Sequence, residues 1–130
     1  MTYLTISEAR ENLRRATKTI LDLEGDYGRA SERSADAEGV YRHELAEAFK
    51  RYREAGDAVE ASSIKARGEC AVLKREAIAA AGAFKLAAEK LEDARDSRRS
   101  LWRLIEWSRE HDRSSSSNGT PENVPKERWP

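Results

Sequence analysis

Eight basic side chains crowd two short segments: Arg10, Arg14, Arg15 and Lys18 in residues 10–18, and Arg95, Arg98, Arg99 and Arg103 in residues 95–103. Only Glu11 and Asp96 oppose them there, leaving a local excess of six positive charges. Trp102 lies inside the second segment and Trp107 just beyond it. Cations beside an indole suit contact with a phosphate backbone combined with stacking of bases. The alternative is structural: the arginines pair with neighbouring acids or with a second subunit, while Trp102 and Trp107 close the end of a core.

Other chemistry is sparse. The two histidines, His43 and His111, are too far apart in the chain's helical layout to share a metal or a substrate. Cys70 is the single cysteine, which excludes an internal disulfide and a cysteine-cluster metal site. Its position on an apolar seam reads as a small buried hydrophobe rather than a nucleophile. Carboxylates are plentiful but are spaced like solvated i,i+4 pairs on helix faces. Gly25 and Gly28 lack the strand-turn-helix context and the lysine of a phosphate loop. We therefore expect no catalytic residues, no metal, no cofactor and no small-molecule substrate.

For the two basic segments to act together, the elements that carry them must bring them side by side. Ala, Glu, Arg, Leu and Lys make up 71 of the 130 residues, the composition of long helices or coiled coils. The three prolines, Pro121, Pro125 and Pro130, all lie beyond residue 120. Thr5 and Glu8 have the spacing of a capping box. From there apolar or small residues recur in alternating steps of three and four: Ile6, Ala9, Leu13, Ala16, Ile20, Leu23, Tyr27, Ala30, Ser34, Ala37 and Tyr41. This is a heptad seam. It continues through Leu45, Ala48, Tyr52 and Ala55 after a stutter at Tyr41. Gly56 then suits the left-handed end of a helix, and Asp57 with Glu60 suits the cap of the next. A second seam follows: Val59, Ser63, Ala66, Cys70, Leu73, Ala77, Ala80, Phe84, Ala87, Leu91 and Ala94. It passes through Arg98 to Leu101 and Ile105.

The expectation is an all-α chain: a long antiparallel two-helix coiled-coil hairpin over residues 1–112. Helix one spans about 5–55, the turn 56–57, and helix two about 58–112. Each helix would be roughly 75 Å long at about 1.5 Å per residue. Facing residues then sum to about 113 or 114, so that Leu13 meets Leu101, Leu23 meets Leu91, Tyr27 meets Ala87 and Ala30 meets Phe84. Gly25, Gly28 and Gly39 predict a bend near 25–39 without an end to helix one, since each costs about 1 kcal/mol relative to alanine. Residues 113–130, rich in Ser, Pro and Asn and without periodicity, are expected to be a disordered tail. Asn118-Gly119-Thr120 in this tail matches a glycosylation acceptor but means little without secretion.

This register sets residues 10–18 beside 95–103 at the open end of the hairpin. The shaft, residues 19–47 and 66–94, holds eight positive and thirteen negative side chains. The hairpin is thus expected to be electrically polar although the chain is neutral overall, with 24 charges of each sign. Helix two also carries apolar residues off its seam, among them Ile64, Val72, Ile78 and Leu86. A two-helix hairpin cannot bury so wide an arc. Two hairpins packing as a four-helix bundle, hence a homodimer, or another protein seated on this face would each cover it. "MTYLTISEAR" has neither a basic n-region nor an apolar h-region, and no uncharged run spans a bilayer, so a cytoplasmic location without membrane partners is expected.

Residues 38–91 resemble small helical proteins of tailed phages and prophages, especially those of actinobacterial hosts. The matching features are Tyr41-Arg42 followed by Leu45-Ala46, Arg53 before the turn, and an Ala-rich second helix with Lys74-Arg75. Genes for such proteins often neighbour recombination genes. The resemblance implies a non-catalytic accessory role in DNA recombination or replication, exercised through a protein partner in the cytoplasm of the bacterial host, with DNA contact at the basic end. A structural virion or assembly subunit, and an inhibitor of a host factor, are the rival expectations.

Overall fold

A computed structural model describes residues 3–114 and 123–125, with side chains placed for residues 5–111. Helices account for nearly all of the described chain: α1 (Ile6–Glu54), α2 (Val59–Glu69) and α3 (Ala71–Ser114). A pair of three-residue strands, β1 (Tyr3–Thr5) and β2 (Asn123–Pro125), runs antiparallel with Leu4 opposite Val124. The all-α expectation holds at this level. The segment expected to be a disordered tail lies outside the described residues apart from Arg113 and Ser114, which end α3, and the three residues of β2.

The N-terminal capping box forms as the spacing requires. The Glu8 amide donates to Thr5 Oγ1 at 3.0 Å, and the Thr5 amide donates to the Glu8 carboxylate at 3.2 Å. Two of the four orphan amides of α1's first turn are thereby satisfied. The helix then runs unbroken past Gly25, Gly28 and Gly39 to Glu54.

Gly56 ends α1 as expected, with a φ of 100°. The Asp57 amide donates to the Tyr52 carbonyl at 3.1 Å and the Gly56 amide to the Arg53 carbonyl at 3.1 Å. These two bonds define a Schellman termination, which needs a residue without a Cβ at the left-handed position. Asp57 is not the cap of the next helix. The N-cap is Ala58, in extended conformation, with no side-chain cap bond. The carboxylate that would have accepted from an α2 amide is turned to Lys65 instead. Asp57 instead gathers the turn. Its carbonyl accepts from Arg53 at 2.9 Å and from the Ser62 hydroxyl at 3.4 Å, and its carboxylate pairs with Lys65 Nζ at 2.9 Å.

Helix two is interrupted where the sequence reading had it continuous. Cys70 separates α2 from α3 with φ −96° and ψ 13°. Its amide still bonds the Ala66 carbonyl at 3.0 Å, and its carbonyl still receives the Lys74 amide at 3.0 Å. The interruption is therefore one irregular residue within a nearly helical path. Gly68, the poorest helix former of this stretch, lies just before it.

The chain folds as two compact units, Met1–Glu24 with Glu89–Pro130, and Gly25–Ala88. In the first, Ala9, Leu104 and Ile105 form a buried cluster, with Ile6, Leu13 and Trp107 packed against it. In the second, Ala48, Ala66 and Cys70 form the cluster, with Tyr41, Leu45, Phe49 and Tyr52 around it. Seam residues supply most of the buried positions. The exceptions are informative: Val59 and Tyr27 are exposed, while Ser62, Leu104 and Ser108 are buried off the seam. Tyr27 makes its ring contact with Phe84, centroids 5.1 Å apart, rather than lying simply against Ala87.

Candidate functional site

The basic segments belong to the first compact unit, where the N-terminal part of α1 and the C-terminal part of α3 carry them. Their charges are not equivalent. Glu11 engages both Arg14 and Arg15, at 3.6 and 3.5 Å. Arg99 is held by Asp96 at 2.8 Å and Glu92 at 3.4 Å. Arg10, Lys18, Arg95, Arg98 and Arg103 have no carboxylate partner among the described residues. Arg98 is half-buried, as its place on the seam requires, while Arg95 and Arg103 are exposed.

The two tryptophans part company. Trp107 packs on the Ala9–Leu104–Ile105 cluster and stacks on His111, ring centroids 5.0 Å apart, so it does close the core. Trp102 stays 44% exposed. With Leu13, Thr17, Arg98 and Arg99 it lines a groove of about 330 Å³. The Thr17 hydroxyl is spent on the Leu13 carbonyl at 3.0 Å. The groove thus offers an apolar floor and an indole beside guanidinium groups. Arg109 adds to it from outside both basic segments, its guanidinium carbon 5.8 Å from the Trp102 ring centroid. A signal for it existed: residues 102 and 109 are seven apart, hence on one helix face.

The second unit carries the other candidate surface. Ile64 on α2 and Val72, Ile78 and Leu86 on α3 are each more than half exposed. Successive α3 residues are offset by about 100°, which sets Val72, Ile78 and Leu86 on the side away from the inward-facing Leu73, Ala77 and Phe84. Between them the same face presents Ala79, Gly82 and Ala83, all exposed, with Arg75 in its middle and Glu76 and Lys85 along its edges.

Near the turn, Arg51 pairs with Glu69 at 2.8 Å. This guanidinium, with a hydrogen bond from the Tyr52 hydroxyl, holds the Glu69 carboxyl below its ordinary range. The same bond to Glu69 raises the Tyr52 phenol. Sequence reasoning missed this trio, because Glu69 lies 17 and 18 residues from the adjacent Tyr52 and Arg51 and off any motif. A groove of about 450 Å³ opens in this unit between Arg42, Phe49, Ser63 and Arg67.

Among the described residues no group of three or more His, Cys, Asp or Glu side chains could hold a metal ion. No described helix is long and apolar enough to cross a membrane. His43 and His111 belong to different compact units, and Cys70 is buried. No protein family, curated protein or solved structure matches this chain.

Proposed function

We propose that this chain is a non-catalytic interaction protein, a helical hairpin that pairs with a second copy through the exposed face of α2 and α3 to give a four-helix bundle. The observation that carries the reading is the set Ile64, Val72, Ile78 and Leu86, each more than half exposed, with the small residues Ala79, Gly82 and Ala83 between those of α3. Monomeric proteins rarely expose a continuous apolar face of this kind. A symmetric dimer lays a patch against itself, so an apolar face needs no complementary partner surface. The small residues Ala79, Gly82 and Ala83 would let the two backbones approach closely. The left-handed Gly56, the Arg51–Glu69 ion pair and the shared burial of Ala9 with Leu104 and Ile105 support the hairpin itself.

The basic segments complete the reading as a sequence-independent contact with nucleic-acid phosphates. Five of their eight cations are free of carboxylates among the described residues, and so available to a polyanion. We further propose an accessory role in DNA recombination or replication in a bacterial cytoplasm, on the sequence features of residues 38–91 alone.

Sedimentation equilibrium of the full chain tests the central claim. The wild type is expected to reach twice its 14.7 kDa chain mass, and Ile78→Glu with Leu86→Glu to remain monomeric with its helicity intact. A wild type that stays monomeric at high micromolar concentration would remove the bundle.

A further inference from the structure

The groove beside Trp102 is chemically unlike the rest of the basic surface. Elsewhere the cations stand on exposed helix faces, where they meet an anion as point charges. Here an exposed indole and the Leu13 side chain form an apolar wall, and Arg98 and Arg99 stand on the same groove. Thr17 lends its hydroxyl to a backbone carbonyl, so the guanidinium groups are the groove's donors for a ligand. Arg98 has no carboxylate partner among the described residues, and it is partly withdrawn from water, where an unpaired charge attracts an anion more strongly. The volume, about 330 Å³, is near the lower bound of roughly 300–1,000 Å³ for ligand clefts. It suits one planar ring with an attached anion rather than a longer molecule.

We propose that this groove takes one nucleotide of a single-stranded nucleic acid, its base against Trp102 and Leu13 and its phosphate on Arg98, with Arg99, held by Asp96 and Glu92, at the groove's edge. The inference rests on the phosphate contact proposed above and adds two things to it: the strand must be single, and one indole reads a base face. A duplex keeps its base faces stacked inside, out of reach of a side chain on a helix surface. A free mononucleotide would fill the groove but leave Arg10, Lys18, Arg95 and Arg103 unused. Neighbouring phosphates of a strand engage them. Arg109, over the Trp102 ring, is placed to strengthen the stack through its own charge.

Fluorescence anisotropy of the full chain at low salt tests this, using a labelled oligothymidylate of about 15 nucleotides, a duplex of the same length, and ATP as a mononucleotide competitor. The single strand is expected to bind more tightly than the duplex and to resist ATP. Trp102→Leu should weaken the strand about fivefold or more while leaving the duplex unchanged, and Trp102→Phe should retain most of the affinity. Arg98→Ala should lower the slope of log K against log salt by about 0.7. Trp102 is exposed, so far-UV circular dichroism should show every variant folded. Binding of neither nucleic acid would overturn this inference together with the phosphate contact. Binding of both forms with no response to Trp102→Leu would overturn the inference alone, as would ATP displacing the strand at equal nucleotide concentration.

Discussion

The two compact units bury different kinds of side chain. Residues 1–24 with 89–130 enclose Ile20, Leu91, Leu101, Leu104 and Ile105 beside the smaller Ala9 and Ser108, each no more than 5% exposed. Residues 25–88 enclose only Ala48, Ser62, Ala66, Cys70 and Ala77 to that degree. All six glycines among the described residues also belong to the second unit. One unit therefore gains stability from apolar volume, and the other from close approach of small residues edged by aromatics and ion pairs. The unit with the thinner core also exposes Ile64, Val72, Ile78 and Leu86. The proposed association would cover this face, whereas the first unit joins a fuller apolar core to the basic segments.

The largest expected effect breaks the comparison at its strong side. Leu104 is 2% exposed between Ala9 and Ile105, so Leu104→Ala removes buried methyl groups and leaves a cavity. A loss of about 2–5 kcal/mol is expected in urea unfolding. Truncating Ile78, 62% exposed, should cost less than about 0.5 kcal/mol at concentrations where the chain is monomeric. Equal losses at the two sites would mean that the units do not differ as described.

A smaller effect of opposite sign sharpens the weak side. A Cβ added at Gly39 or at Gly28 meets nothing within 4 Å, and neither residue has a positive φ. Each Gly→Ala change should stabilise α1 by about 0.5–1 kcal/mol. Native-state hydrogen exchange should locate the gain in residues 25–88, because local opening there is what the glycines favour. Gly56→Ala should do the reverse, since the turn needs its left-handed φ.

How far the fold could be read beforehand follows the same division. The steps of three and four selected Ala9, Ile20, Ala48, Ala66, Cys70, Ala77, Leu91, Leu101 and Ile105, all buried. Gly56 and the Thr5–Glu8 box were legible because each is a local device with a local residue requirement. The interruption at Cys70 was not, because the seam stays in phase across it and no proline marks it. Ala58 as N-cap was hidden for a related reason: the Asp57 carboxylate goes to Lys65, eight residues on, rather than to an α2 amide. At the candidate site, the cluster of cations was plain in the sequence. The separation of Trp102 from Trp107 was not, since both lie within reach of the seam and only packing decides which one meets the core.

The smallest expected effect concerns the Arg51–Tyr52–Glu69 trio, the second unit's polar substitute for apolar volume. Glu69 is held below its ordinary range, first by Arg51 and then by the Tyr52 hydroxyl. A depressed carboxyl contributes stability above its unfolded pKa of about 4.3, and the contribution disappears as pH falls through the folded value. Tyr52 is raised, first by its bond to Glu69. A raised phenol contributes stability below its unfolded pKa of about 10, and that contribution disappears as pH climbs through the folded value. The trio therefore acts between those two limits. Glu69→Gln should narrow the stability difference from wild type at the acid end and also return the Tyr52 titration toward its ordinary range, because the same carboxylate causes both shifts. Tyr52→Phe should remove the alkaline limb and also weaken the acid one, because the hydroxyl is the second cause of the Glu69 shift. Spectrophotometric titration of the phenols reads this directly: the alkaline end of the wild-type curve should move to lower pH in Glu69→Gln. If the two curves coincide, the hydroxyl of Tyr52 does not depend on Glu69, and the turn is held by the Arg51 ion pair and the Schellman bonds alone.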